Sequence, residues 1–183
     1  MRKLASFSFL VVLCFVFGQA GAPAHSFVGV KACKPCHTSE KQGKQVPIWQ
    51  ASEHAKAFQT LKTPEAQKIA EKAGIKGPAS ESEKCLKCHV AGAGLPAASF
   101  MPTFVKEDGV QCENCHGPGA DFKTMAVMKD KAKAVAAGLV LLSVKDGTAE
   151  KKCKTCHNEE SPTFKSFAFK ESWAKIAHDI PKP

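Results

Sequence analysis

The sequence predicts a mostly α-helical protein with long loops, built as one compact domain over residues 25–183. Alternating apolar and polar residues, the pattern of half-buried strands, are scarce along the chain. Three segments instead show helical spacing of apolar residues with start or stop signals at their ends. A motif of cysteine and histidine also recurs four times, which leaves roughly 40 residues of chain per copy. So little chain per motif favours short helices joined by loops.

The first predicted helix runs from Pro47 to about Leu61. Proline suits the first helical turn, because its missing N–H would be unpaired there in any case. The apolar residues of this segment recur at helical spacing: Ile48, Ala51, Ala55 and Phe58. His54 borders this apolar stripe, so we expect its ring to point partly inward.

Two further helices are predicted from their ends. Thr63 and Pro64 have the residue types of a cap and first position, and this helix should run to Ala73 and stop at Gly74. The third should cover residues 129–137, with a glycine as its stop. Residues 90–110 contain several glycines and prolines and are predicted as loop. The turn at residues 116–119 (His-Gly-Pro-Gly) uses glycine either for the turn itself or to let the backbone approach a bound group.

Four copies of Cys-x-x-Cys-His are the most specific signal in the chain. They consist of Cys33, Cys36 and His37; Cys85, Cys88 and His89; Cys112, Cys115 and His116; and Cys153, Cys156 and His157. This spacing is typical of covalent haem c attachment, with two thioethers and a histidine ligand to the iron. The sequence therefore predicts four haem c groups, which would form much of the core. Short helical turns should carry the motif histidines.

Zinc and disulfides are the alternatives for such cysteines. Four closed zinc sites would need at least four further cysteines or histidines, and only three histidines lie outside the motifs. Disulfides suit an even number of cysteines in an exported protein. Neither alternative explains why a histidine follows the second cysteine each time.

Residues 1–24 have the pattern of a secretory signal peptide. Arg2 and Lys3 precede the apolar run of residues 10–17, and Ala-Pro-Ala at 22–24 suits cleavage after Ala24. The apolar run is too short for a membrane span, and cleavage would remove Cys14, the one cysteine outside the motifs. We expect an exported, periplasmic protein without a membrane span.

The net charge of +9 does not predict a nucleic-acid partner. Cleavage would lower it to about +7, and four haems, each with two propionates, would bring it to roughly +3 oxidised and −1 reduced. A nucleic-acid-binding protein would need a basic surface patch that remains after the negative charge of the haem propionates is counted. Redox proteins, as electron donor and acceptor, are the expected partners, and lysines could steer an acidic one.

The chain has fewer histidines available as second axial ligands than the four irons that the motifs predict. Outside the motifs the mature chain offers His25, His54 and His178 among histidines, and Met101, Met125 and Met128 among methionines. Either a methionine completes one iron or one iron has no protein ligand on its far side. His25 would be the first mature residue, and termini tend to be poorly ordered.

Three strings of residues resemble the cytochrome c-554 family. They are Phe27-Val28-Gly29, Trp49-x-x-Ser52-x-His54-Ala55-x-Ala57-Phe58, and residues 109–119, Gly-Val-Gln-Cys-Glu-Asn-Cys-His-Gly-Pro-Gly. The resemblance implies a mostly helical tetrahaem fold with closely packed haem pairs. It further implies that His54 completes the His116 haem, that His178 completes the His37 haem, and that the His89 haem is five-coordinate. Where the family has a ligand histidine after the Gly-Pro-Gly turn, this chain has none, so Met125, or Met128, is expected on the His157 haem.

Electron transfer through four haems, without enzymatic activity, is the expected function. An alternative is an enzyme that binds or reduces nitric oxide at an open His89 haem, although the sequence shows no acid or base for that pocket. Another is a subunit of a conducting polymer in which His25 is donated to a neighbouring molecule.

Overall fold

The computed structural model describes residues 25–179, so the predicted signal peptide and Cys14 lie outside the described residues. Within this range the chain forms ten short α-helices and no strand. They are α1 Val30–His37, α2 Gln45–Ala51, α3 Ala57–Thr60, α4 Pro64–Lys72, α5 Glu83–His89, α6 Cys112–His116, α7 Met125–Met128, α8 Lys131–Ala136, α9 Thr148–Cys153 and α10 Phe169–Ile176. Long connections with occasional 3₁₀ turns join them. The mostly α-helical fold with long loops is confirmed.

The single helix predicted from Pro47 to Leu61 is wrong, because the segment is broken in the middle. Ser52 has extended backbone angles, and its hydroxyl donates to the Trp49 carbonyl at 2.7 Å, an interaction that competes with helix continuation. A 3₁₀ turn at Glu53–Lys56 follows, and then α3. This break places His54 on a tight turn rather than on a helix face.

The predicted α4 is confirmed at both ends, whereas α8 starts later than predicted. The Thr63 hydroxyl accepts a hydrogen bond from the Ala66 N–H at 3.2 Å, and Gly74 follows the helix with φ of +70°. Residue 129 precedes α8, because Asp130 caps that helix by accepting from the Lys133 N–H at 3.1 Å.

Residues 90–110 form a loop, as predicted, with 3₁₀ turns at Ala97–Ser99 and Lys106–Asp108. An isolated bridge joins Phe27 to Phe100. The phenyl rings of Phe27, Phe100 and Phe104 pack together, with centroids 4.6–6.2 Å apart. This cluster fixes the loop against the segment that enters α1.

Helix α10 was not predicted. Its apolar residues Phe169, Trp173 and Ile176 are spaced as on one helix face, a signal that was present in the sequence. The helix packs on α2, and the chain continues past its end to His178. The position of α10 therefore determines where His178 can lie.

Few large apolar side chains are buried in the described part of the chain. The buried apolar residues include five alanines, and among fully buried side chains the largest is Gln111. Several apolar side chains are exposed instead, among them Met125 at 59% and Val144 at 52%. None of the helices among residues 25–179 is long and apolar enough to cross a bilayer. The polypeptide alone thus forms a thin core, as the sequence predicted for a fold that encloses large groups.

Candidate haem-binding site

Three of the four motifs lie on helices that end at their histidine, namely α1, α5 and α6. Helical residues three and four positions apart share a face, so the first cysteine, the second cysteine and the histidine are presented together. In the fourth motif α9 ends at Cys153, and a further turn, closed by the His157 N–H donating to the Cys153 carbonyl at 3.0 Å, carries the histidine. The prediction that short helical turns carry the motif histidines therefore holds for three helices and for the turn that follows α9.

The motif cysteines meet in pairs across the molecule. The Cys33 and Cys112 thiols lie close enough to shift each other's pKa, and the Cys156 thiol lies close enough to Cys88 to raise the Cys88 pKa. A Lys87–Glu160 ion pair also joins the second motif to the segment after the fourth. The fold therefore brings motif one to motif three and motif two to motif four.

The motif thiols are free, and burial favours their neutral form. Burial, together with the neighbouring Cys156, raises the pKa of Cys88 to about 11. Burial also raises the pKa of Cys115 and of Cys153. By contrast, the hydrogen bond with Cys33 lowers the pKa of Cys112. No disulfide is present in the described residues.

Two motif histidines each face a second histidine. The His54 and His157 ring centroids are 6.1 Å apart, and those of His116 and His178 are 5.8 Å apart. Two imidazoles on opposite sides of one metal ion would place their ring centres roughly 6 Å apart, given a metal–nitrogen bond of about 2 Å. Each pair thus leaves the space that one iron requires.

Burial keeps these four imidazoles neutral, the form that binds a metal. Burial lowers the pKa of His54, and the neighbouring His157 lowers it further. Burial also lowers the pKa of His178, and the neighbouring His116 lowers it further. Burial likewise lowers the pKa of His116 and of His157. A neutral ring nitrogen retains the lone pair that coordination needs.

These neighbours differ from those that the family resemblance implied. His54 lies beside His157 rather than His116, and His178 lies beside His116, with His37 as a further neighbour. His54 thus lies beside His157, where a methionine was expected. The Met125 side chain is mostly exposed. Ligation by any of these residues remains a prediction.

Two motif histidines are oriented by backbone carbonyls. The His89 Nδ1 lies 2.7 Å from the Ala57 oxygen, and the His116 Nδ1 lies 2.9 Å from the Val140 oxygen. An Nδ1–H that donates to a carbonyl leaves Nε2 as the free, metal-binding nitrogen. His37 differs, because its Nδ1 is buried and has no hydrogen-bond partner.

Comparison with known proteins identifies the family to which the motifs point. A family model described as cytochrome c554 and c-prime matches residues 32–117, the stretch that holds the first three motifs. Cytochrome c-554 of Nitrosomonas europaea is 31% identical over 161 residues, which cover 81% of this chain and 65% of that protein. The chain belongs to the cytochrome c-554 family. It spans about two thirds of the length of this relative, and no solved structure matches it.

Membership of the cytochrome c-554 family implies covalently bound haem c, and the residues present fit that group. The donor set is two thiols and an imidazole on one helix face, and the paired imidazoles leave room for an iron. The thin apolar core leaves surface for a macrocycle to cover. For the zinc alternative, no group of three or more His, Cys, Asp or Glu side chains that could hold a metal ion occurs within residues 25–179.

Two of the three strings that resemble the family, residues 27–29 and 109–119, meet at Glu113, a residue whose role the sequence did not reveal. Its buried carboxylate accepts from the Val28 N–H and the Gly29 N–H, both at 2.8 Å, and from the Gly119 N–H at 2.7 Å. The neighbouring Gln111 accepts from Val30 N–H at 2.8 Å. These bonds fix the entry to α1 against α6. An acidic residue between motif cysteines was the available signal, but nothing local shows that it is buried.

Proposed function

We propose that this chain is an exported, periplasmic tetrahaem electron carrier of the cytochrome c-554 family. The observation that carries the proposal is the pairwise meeting of the motifs. Glu113 in motif three is hydrogen-bonded to the segment before motif one, and Lys87 in motif two is paired with Glu160 after motif four. Groups attached to such neighbouring cysteines would lie close together. Haem iron supplies one-electron chemistry when bound, and close spacing lets electrons pass along the set.

The axial histidines support electron transfer over catalysis. We assign His157 and His54 to one iron, and His116 and His178 to a second, because their ring spacing matches two imidazoles across a metal. An iron with imidazole on both faces has no vacant position for a substrate. The carbonyl of Val140 holds His116 by its Nδ1, which keeps the ring oriented.

His37 and His89 define the remaining two sites. Among residues 25–179 neither ring makes a close ring contact with a second histidine. An iron at His89 would thus have an open face, the one feature that favours nitric oxide as a ligand. The second candidate function, reduction of nitric oxide, depends on that open face.

The proposed periplasmic location is supported by the amino-terminal segment. A basic start, a short apolar run and Ala-Pro-Ala form the pattern of a cleaved export signal over residues 1–24. Attachment of haem c requires reduced thiols, and after cleavage every cysteine of the chain belongs to a motif. The proposed partners are a redox donor and a redox acceptor. The proposal includes neither a nucleic-acid partner nor a membrane span.

Haem number can be tested by mass spectrometry of the purified holoprotein. The proposal predicts four covalent haems in the wild type and three in a double variant, Cys153→Ala with Cys156→Ala. A matched control, Lys154→Ala, changes an exposed residue between those cysteines and should retain four. A wild-type protein with fewer than four covalent haems would contradict the proposal.

Carrier and enzyme can be separated by rapid mixing of the fully reduced holoprotein. Mixed with oxidised equine cytochrome c as an artificial acceptor, a carrier should deliver one electron per haem. Mixed anaerobically with nitric oxide, it should remain reduced, with at most a ligand-bound spectrum. Reoxidation by nitric oxide with repeated turnover would instead establish the enzyme.

A further inference from the structure

His25 and Asp121 form a contact outside the haem-binding site. The carboxylate Oδ2 of Asp121 lies 2.9 Å from the His25 backbone nitrogen and 3.0 Å from its ring Nδ1. Both side chains are partly exposed, at 54% for His25 and 44% for Asp121. Gly138 lies beside the ring, where a Cβ would come within 3.2 Å of Nδ1. One carboxylate oxygen thus meets two nitrogens of the same residue.

Cleavage after Ala24, on which this inference rests as part of the proposed function, would change the chemistry of that contact. The His25 nitrogen would become a primary amine, whose ordinary pKa is about 8, so it loses its proton readily near neutral pH. The amine and Nδ1 of an amino-terminal histidine can then close a chelate ring on one metal ion. The Asp121 carboxylate supplies a third, anionic donor.

The distances suit metal ligands as well as hydrogen bonds. Donors at about 2 Å from a metal and at right angles to one another are roughly 2.8 Å apart. The two nitrogen–oxygen distances, 2.9 and 3.0 Å, are close to that spacing. A metal could replace the protons between these atoms with little movement of the chain.

We propose that the mature amino terminus, with Asp121, is a copper(II) site. Two nitrogens and a carboxylate oxygen favour tetragonal copper(II), which leads the divalent first-row metals in affinity for such donors. Binding would displace protons from the amine and imidazole without a change in oxidation state. Exposure of both side chains leaves an entry path and room for water as a fourth ligand. The site is separate from the haem motifs and uses no motif residue.

The test is copper binding to the fully oxidised mature holoprotein, with its amino terminus identified by mass spectrometry. After equilibrium dialysis against copper(II) chloride, metal analysis should give one copper per chain, and electron paramagnetic resonance should show a nitrogen-coordinated copper signal. Asp121→Asn, which removes the charge but keeps the shape, should weaken binding at least about tenfold. Acetylation of the terminal amine, which removes one of the two chelating nitrogens, should abolish the site, and His25→Ala, which removes Nδ1, should do the same.

Several results would overturn the proposal. Copper binding that is equal in wild type, His25→Ala and the acetylated protein would mean that the contact is an ion pair only. A changed haem spectrum in His25→Ala would make His25 an iron ligand instead. A mature chain that begins at another residue would remove the copper site and correct the cleavage position, while four covalent haems in the same sample would leave the electron carrier intact.

Discussion

Glu113 holds the first and third haem-attachment motifs against each other. Its carboxylate is 4% exposed and accepts three backbone hydrogen bonds from the segments before the first motif and after the third. Leaving buried donors unpaired costs about 1–3 kcal/mol each, although relaxation and water reduce the sum. The carboxylate therefore stabilises the site without touching a haem ligand.

We predict that Glu113→Ala lowers the free energy of unfolding by about 3 kcal/mol, because three buried N–H groups lose their acceptor. Glu113→Gln should cost less, since Val28 and Gly119 donate to one oxygen and Gly29 to the other, so an amide loses only one set of contacts. Denaturant unfolding of the holoproteins measures both. The exposed Glu107→Ala is the control, and equal stability of Glu107→Ala and Glu113→Ala would contradict the account.

Met125 provides a second prediction at the scale of one residue. Its side chain is 59% exposed. His54 lies beside His157, the histidine of the haem on which Met125 was expected as a ligand. Met125→Ala should therefore leave the absorbance spectrum and all four reduction potentials unchanged. Loss of a methionine ligand would lower one potential and remove the sulfur–iron absorption band. That outcome in spectroelectrochemistry would restore Met125 as a ligand.

At the scale of elements, the turn after α6 depends on close contact between backbones. Gly117 has φ of +83°, and a Cβ there would lie 2.9 Å from the Gly138 carbonyl oxygen. Gly119 is equally confined, because a Cβ would lie 3.0 Å from a Val28 methyl group. The positive φ of Gly117 agrees with the turn role considered from the sequence, and close contact with protein is a further reason for glycine at both positions. The approach to a bound group stays a prediction.

Gly117→Ala should destabilise the protein more than Gly74→Ala. Both glycines have positive φ, which costs a non-glycine residue about 1–2 kcal/mol, but Gly74 has open space around it. Alanine at Gly117 must also push the two backbones apart, next to His116. Thermal unfolding of the two holoproteins gives the comparison, and an equal loss of stability would show that the close contact is unimportant.

Local signals predicted some elements and missed others for physical reasons. The cap at Thr63 and the glycine after α4 act within one turn, so the sequence was sufficient there. The break at Ser52 is accompanied by distant contacts, because the His54 carbonyl accepts from the Val110 N–H at 3.0 Å and the Trp49 indole donates to the Val110 carbonyl at 2.7 Å. Such long-range bonds override helical periodicity and leave no local trace.

At the scale of the whole molecule, the fold is organised around its motifs rather than around an apolar core. The spacing of cysteines and histidines predicted the attachment sites, since that chemistry is local. Which histidines face each other depends on how α10 and the 3₁₀ turn at Glu53–Lys56 are placed, and the family resemblance implied a different pairing. The observed pairs, His54 with His157 and His116 with His178, support the electron-carrier account beside the pairwise meeting of the motifs.

Low-temperature electron paramagnetic resonance of the oxidised holoprotein, recorded beside its His54→Ala variant, tests that account most directly. We predict low-spin ferric signals from two irons with two imidazoles, together with a high-spin signal from an iron with an open face. His54→Ala should convert one low-spin signal to high-spin and leave the other in place. Low-spin signals from all four irons in the wild type would remove the open face and with it the nitric oxide alternative, whereas a spectrum unchanged in His54→Ala would contradict the account.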